Sequence, residues 1–411
     1  MKKPLLLSIV LVLMGINSFA QWELQNPLPQ GNKLNSVCFP DANTGYAVGD
    51  AGTIIKTIDT GTTWISLSSG TTYDLKSAYF TDANKGYVVG CLNSYPIGVI
   101  LKTINGGSTW TVLSEVTGSQ FVNVCFTDAN TGYVAGFYGY SSPPDGGLIL
   151  KTVDGGITWT DLVVPVQRPP YHSVFFSDAN TGYALCDSVI IKTTNAGIIW
   201  TTQLSGTINW LSSIYFTDAN NGYAVGDNGT IVKTIDGGTT WDALTSVTSN
   251  GLSSVYFTDA NTGYAVGHNG TILKTSDAGT TWISQTSGTL NNLNSVFFTD
   301  ANTGCTVGDS GTILKTTNGG VPPVGINEKP ESNSLKIFPN PAKEKLIIEM
   351  SEPGSNMSGT VTIYGMNSQE LMKRQVQGSR VELNVGSLPK GIYFIRLMNT
   401  EKTGFGKFVK E

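Results

Sequence analysis

The sequence predicts an all-β protein: a seven-bladed β-propeller followed by a small strand-rich tail. Three observations carry this. The segment KTSDAGTTW at residues 274–282 recurs at 56–64, 102–110, 151–159, 192–200 and 233–241, and a shortened copy starts at Lys315. A second segment, DANTGYAVG and its variants, starts at Asp41, Asp82, Asp128, Asp178, Asp218, Asp259 and Asp300. Successive copies are therefore 40 to 50 residues apart, the length of a four-stranded propeller blade. After Gly320 the repeat stops and the composition changes.

Taken in order, the elements are these. Lys2 and Lys3 precede an apolar run over residues 5–14, and Ser18-Phe19-Ala20 places small residues for cleavage. Residues 1–20 read as a secretory signal peptide, too short for a membrane span, with the mature chain starting at Gln21. The propeller occupies 21–320. In its sixth unit, LSSVYF (252–257) alternates as a first strand, and the DANTG turn leads to a second strand at 264–266. TILKT (271–275) is the third strand and residues 281–285 the fourth. The seventh unit lacks its tryptophan-bearing outer strand, whereas the mature chain begins Gln21-Trp22-Glu23. Residues 21–25 are therefore expected to supply that strand and close the ring. Residues 321–334 are a Pro- and Ser-rich linker. Residues 335–411 hold strand-like runs without a repeat: LKIFPNP, KLIIEM, GTVTIYG, RVELNV and GIYFIRLM.

Charged residues are only 13% of the chain, and 48 residues are glycine. Residues 21–320 carry 11 Lys+Arg against 21 Asp+Glu, which gives no sign of nucleic acid binding. Five cysteines, Cys38, Cys91, Cys125, Cys186 and Cys305, show no metal spacing. They read as buried thiols, the alternative being one disulfide involving Cys91. No cofactor or metal is implied.

Seven copies of one segment cannot all be catalytic centres; the repeated segment is a turn. Its lysines (56, 102, 151, 192, 233, 274 and 315) are expected to cap the third strands and pair with turn carboxylates rather than form a basic ring. Function is expected where the repeats differ. Lengthened loops at 91–98 and 137–147, and linkers holding Tyr73, Asp74 and Lys76 and Arg168 to His172, bring private residues toward the end opposite the turns. Tyr73, Asp74, Tyr95, Phe137, Tyr138, Tyr140, Arg168, Tyr171 and Trp210 are the candidate ligand-binding residues. Aromatics with one arginine suit a protein or glycan surface. The competing class is a polysaccharide-active glycoside hydrolase, with Asp74 and Asp145 as the carboxylate pair.

The turn segment resembles the Asp-box, S/T-x-D-x-G-x-T-W, of sialidases and related propellers, matched best at 57–64, 152–159, 234–241 and 275–282. Asn105 and Asn195 replace the aspartate in two copies. Sialidase chemistry requires an arginine cluster, and residues 21–320 contain Arg168 alone. The whole array resembles the Ycf48-like propellers, the photosystem II stability/assembly factor group. The tail resembles the type A C-terminal sorting domain of type IX secretion in Bacteroidota. The matching residues are Phe338-Pro339-Asn340-Pro341, 361–365, Leu388, Gly391-Ile392-Tyr393 and Lys407-Phe408-Val409-Lys410. The tail's resemblance implies a small Ig-like β-sandwich that meets the type IX machinery and a secreted or cell-surface protein. The propeller's resemblance implies its fold but not photosystem assembly, and the protein- or glycan-binding expectation rests on the variable loops.

Overall fold

The computed structural model describes residues 21–25, 30–92, 96–139, 146–166, 170–320, 335–350, 357–365, 369–378, 380–398 and 403–411. The expected export signal at 1–20 and linker at 321–334 lie outside these. The chain divides into two compact units, Met1–Pro323 and Val324–Glu411.

The first unit is propeller-like and built from seven four-stranded antiparallel sheets. Helical structure among its described residues is limited to three single turns, Asp227–Gly229, His268–Gly270 and Asp309–Gly311. Sheet one holds Leu34–Cys38, Gly45–Gly49, Thr53–Thr57 and Ile65–Leu67, hydrogen-bonded in chain order. Sheets two to six repeat that order, beginning at Asp74, Ser119, Tyr171, Leu211 and Leu252. In sheet seven the chain supplies Leu293–Phe298, Gly304–Gly308 and Ile313–Thr316, and the fourth strand is Glu23–Leu24. Glu23 pairs with Lys315 and Leu24 with Leu314. The expected closure by the N-terminal segment is thus present.

Each sheet packs on the next through one apolar cluster, and sheet seven packs on sheet one through Cys305, Val307 and Ile313 against Leu34, Val37, Phe39 and Trp64. Six of the seven seams share one aromatic pattern. Tyr223 of sheet five stacks on Phe257 of sheet six with centroids 4.0 Å apart, and Trp282 meets the same Phe257 edge-on at 6.1 Å. The first strands are also stitched directly: the N–H of Val255 donates to Ser213 Oγ, that of Val296 to Ser254 Oγ and that of Val37 to Ser295 Oγ, each within 3.3 Å. The recurring serine of the LSSV and LNSV runs is therefore a side-chain bridge between sheets.

Among the described residues the cysteines form no disulfide. Cys91, Cys186 and Cys305 are buried, and burial pushes the Cys305 thiol up to about 12.

The second unit has two sheets around one core. One contains Leu335–Phe338, Lys345–Met350 and Arg380–Asn384; the other contains Met357–Tyr364, Glu370–Gly378, Gly391–Met398 and Thr403–Lys410. Leu346, Ile348 and Leu383 of the first meet Val361, Ile363, Tyr393, Ile395 and Phe408 of the second. The strand Glu370–Gly378 went unrecognised in the sequence because its side chains are mostly exposed and polar, so apolar alternation is missing.

Candidate functional site

The two ends of the propeller sheets differ in chemistry. The Asp-box lies between the third and fourth strands of a sheet. Linkers between sheets, and the turn from second to third strand, lie at the other end.

The box end is occupied by structure. Asp277 Oδ1 accepts from the Thr275 hydroxyl and the Thr281 N–H, both at 2.8 Å, and Oδ2 accepts from the Thr281 hydroxyl at 2.6 Å. The Gly279 N–H donates to Thr275 Oγ1 at 2.9 Å, and the glycine takes φ +81° beneath the Tyr223 ring, where a Cβ would lie 2.9 Å from a ring carbon. The lysines do not pair with carboxylates as expected. Lys233 Nζ donates to the box carbonyl of Ala278 in the next sheet at 2.8 Å, and the Tyr223 hydroxyl donates to the same oxygen at 2.8 Å. The ammonium also lies 5.4 Å from the Tyr223 ring centroid. The equivalent bonds run from Lys56 to Gly106, Lys102 to Gly155, Lys151 to Ala196, Lys192 to Gly237 and Lys274 to Gly319. At the last seam Cys305 replaces the tyrosine, and Lys315 donates instead to Thr62 Oγ1. The carbonyl is a good partner because box geometry points it at the neighbouring sheet, a stagger that the period does not reveal.

The opposite end is built from repeat positions that change. The residue just before each first-strand anchor is Lys33, Asp74, Gln120, Pro170, Trp210, Gly251 or Asn292, seven different residue types. The anchor that follows it, Leu34, Leu75, Phe121, Tyr171, Leu211, Leu252 or Leu293, is buried in every sheet. At the variable position the backbone does the structural work. Its carbonyl accepts the N–H of the residue after the second strand: Asp50 to Lys33, Asp227 to Trp210, His268 to Gly251 and Asp309 to Asn292, at 2.8 to 2.9 Å.

Around this mouth, sheets seven, one and two are internally neutralised. Lys33 pairs with Asp309 at 3.3 Å, and Lys76 pairs with Asp50 at 3.2 Å and Asp74 at 3.4 Å. Asn35 donates to Asp50 and Asn294 to Asp309. The arc over sheets four to six is different. The His172 imidazole stacks on Trp210 with centroids 5.6 Å apart, and its Nε2 lies 3.9 Å from Asp187 Oδ1, too far for a hydrogen bond. Burial lowers the His172 pKa, opposed by the charge of Asp227, and burial raises that of Asp187. Asp227 and His268 are exposed on either side of Gly251.

The candidate residues distribute as follows. Asp74 and Trp210 occupy the same variable position in different sheets, and Trp210 is 52% exposed. Asp74 Oδ1 accepts the Ala51 N–H at 3.1 Å in addition to its lysine. Tyr73 is half-buried beside Glu115, and burial with that carboxylate raises its pKa. Phe137 and Tyr138 end the second strand of sheet three; the Tyr138 hydroxyl donates to Asp161 Oδ2 at 2.7 Å, and burial pushes its pKa to about 12. Tyr171 is a correction: it is fully buried, its hydroxyl donates to the Val166 carbonyl at 2.7 Å, and it is the anchor of sheet four. Its alignment with Leu34 and Leu75 was the signal for a core role. Tyr95, Tyr140, Arg168 and Asp145 lie outside the described residues. The sequence places His172 in a rim linker without making it a candidate, and Lys33, Asp187, Asp227 and His268 are missed as parts of the same rim, although the residue after each GYAVG segment already varies.

Residues 336–411 match the family model of the secretion system C-terminal sorting domain, and residues 15–117 and 243–317 match that of the photosynthesis system II assembly factor YCF48. No curated protein matches the chain in sequence. Among solved structures, YCF48 from Cyanidioschyzon merolae is 21% identical with a TM-score of 0.60, over 72% of this chain and 98% of its own. A structure of YCF48 bound to D1 peptide is likewise 21% identical with a TM-score of 0.60, over 73% and 98%. The GH74 xyloglucanase of Xanthomonas campestris is 12% identical with a TM-score of 0.58, over 80% and 59%. No helix among the described residues is long and apolar enough to cross a membrane. The sorting domain supports secretion or placement at the cell surface. The propeller unit is thus similar to the YCF48-like BNR-repeat propellers, and residues 336–411 to the type IX C-terminal sorting domain.

Proposed function

We propose that this protein is a secreted or surface-anchored binding module. In this reading the seven sheets are the blades of a seven-bladed propeller, its variable rim engages an extracellular polypeptide or glycan, and the Ig-like tail over 335–411 delivers it through type IX secretion after removal of residues 1–20. The observation that carries the reading is the contrast between ends: the box end is spent on sheet-to-sheet bonds, whereas the rim carries a different side chain in every repeat at one backbone position. A polypeptide ligand is favoured because a solved relative of the same fold is bound to a peptide.

The test has two parts. A reporter fused behind a signal peptide and ahead of residues 335–411, produced in a host with type IX secretion, is expected at the cell surface; retention in the periplasm counts against the export role. The mature chain is then screened on a displayed peptide library and a glycan array beside chromogenic glycosides. Capture without turnover supports a binding module. Turnover that disappears in Asp74→Asn favours the glycoside hydrolase reading, to which the xyloglucanase fold lends its weight. Against that reading, the Asp74 carboxylate is already engaged by Lys76 and the Ala51 N–H, a poor setting for a general acid.

A further inference from the structure

On the reading of the rim as a peptide-binding surface, we propose that the notch over Gly251, between Asp227 and His268, is a subsite for an arginine side chain of the ligand. The notch encloses about 350 Å³ and is lined by Asp227, Asn228, Asn250, Gly251, His268 and Asn269.

Gly251 makes this space without any backbone need for glycine. Its φ is outside the left-handed region, and the same position carries Lys33, Asp74, Trp210 and Asn292 in other sheets. A Cβ added there would lie 3.1 Å from His268 Nδ1 and 3.5 Å from Asp227 Oδ1. One methyl group therefore touches both walls, so the notch is one side chain wide.

Its chemistry selects a cation. Among the described residues the Asp227 carboxylate has neither a hydrogen bond nor an ion pair, unlike Asp50 and Asp309 at the same position in sheets one and seven. The propeller's lysines do not neutralise it. The seven third-strand lysines are committed at the box end, Lys85 donates to the Ala129 carbonyl, and Lys33 and Lys76 are paired on the far arc. Asparagine side chains supply further acceptors on the lining. Trp210 adjoins the notch only through its backbone: the Asp227 N–H donates to its carbonyl at 2.8 Å, and its half-exposed indole lies against His172. A planar guanidinium answers the lining: it forms a fork to a carboxylate and donates to amide oxygens. A lysine ammonium would satisfy the charge but not the fork.

The test uses the mature chain, 21–411, with acetyl-Gly-Arg-Gly-amide and its citrulline counterpart, which has the same shape without the charge. Tryptophan emission and calorimetry are the readouts. The arginine peptide is expected to bind about tenfold more tightly than the citrulline peptide. Asp227→Asn and Gly251→Asn are each expected to weaken it by about tenfold with the thermal midpoint unchanged, since Asn292 shows that asparagine fits that backbone. Equal binding of the two peptides, or both variants staying within about twofold of the parent, overturns the proposal. A peptide library separates this failure from that of the wider reading. Selected peptides that lack arginine and ignore both variants sustain the peptide-binding rim and overturn the arginine subsite; a library that yields no binders overturns both.

Discussion

Replacing Trp22 by alanine tests how the ring is closed. The fourth strand of sheet seven is only Glu23–Leu24, and both residues are exposed. Two residues of ladder are too little to hold a chain end. The anchor is Trp22. It is fully buried, edge-on to Phe298 at 5.7 Å and to Tyr264 at 6.3 Å, and its Nε1 donates to Gln285 Oε1 at 2.8 Å. The same glutamine donates from Nε2 to the Gly320 carbonyl at 2.8 Å. One buried side chain of sheet six thus holds the first and last residues of the array. Trp22→Ala is expected to cost about 3–5 kcal/mol for the lost ring. Trp22→Phe keeps much of the packing but leaves a buried acceptor on Gln285, at about 1–3 kcal/mol. Trp282 is the control. It meets Phe257 in the same edge-on way, but no described group accepts from its Nε1. Trp282→Phe therefore loses packing alone, and the difference between the two phenylalanine variants isolates the latch. Guanidinium unfolding of the mature chain measures the three variants against the parent. If Trp22→Ala costs less than about 1 kcal/mol, or the two phenylalanine variants are equal, closure does not depend on this tryptophan.

Three further outcomes follow. Thr158 and Thr240 hydroxyl and backbone donors hold the Asp154 and Asp236 carboxyls down at about 2. A pKa lowered in the folded state gives stability that is complete above the ordinary carboxylate value and lost as pH falls through the folded value, so thermal midpoints should drop between about pH 4 and pH 2, and Asp154→Asn, tolerated as Asn105 and Asn195 show, should flatten that drop. Lys233→Met and Tyr223→Phe each leave one donor on the Ala278 carbonyl and are expected to cost about 1 kcal/mol or less at that oxygen, while the double variant leaves it bare and should exceed the sum in a double-mutant cycle. A disulfide-exchanging thiol reagent should leave Cys305 unmodified in the native protein and react with it once guanidinium unfolds the chain, because the buried thiol stays protonated.

Much of the propeller was legible because one unit is written seven times. Asn and Gly mark turns, Tyr-Ala-Val marks a second strand, and the missing tryptophan of the last copy is visible at Trp22. What stayed hidden depends on how neighbouring units are staggered. The period shows that Lys233 recurs, but not that its ammonium reaches across to Ala278 of the next sheet. Tyr171 was misread for the opposite reason: a residue unlike its counterparts was taken as exposed, although Leu34, Leu75 and Leu211 at the same place are core. Trp210 and Asp74 are private residues in the sequence, and the matching register of the residues that follow them, Leu211 opposite Gly226 and Leu75 opposite Gly90, shows that they share one position.

That shared position explains how such a uniform array can hold a specific surface. A repeat is constrained wherever a side chain carries a structural bond, within the turn at the box threonines and between units at the lysines and the bridging serines. At the rim the bond is made by a backbone carbonyl, which every residue type has. The fold therefore places no demand on the side chain there, and Lys, Asp, Gln, Pro, Trp, Gly and Asn all occur. Substitution at the rim should alter recognition with little effect on stability, and substitution at the box should do the reverse. The clearest single comparison is Trp210→Ala against Trp282→Ala. Both remove an indole, but Trp210 is 52% exposed and Trp282 only 3%. Trp282→Ala is expected to cost about 3–5 kcal/mol of stability, and Trp210→Ala about 1 kcal/mol or less together with the loss of ligand capture. A Trp210→Ala protein that unfolds as readily as Trp282→Ala would show that the rim, too, is part of the frame.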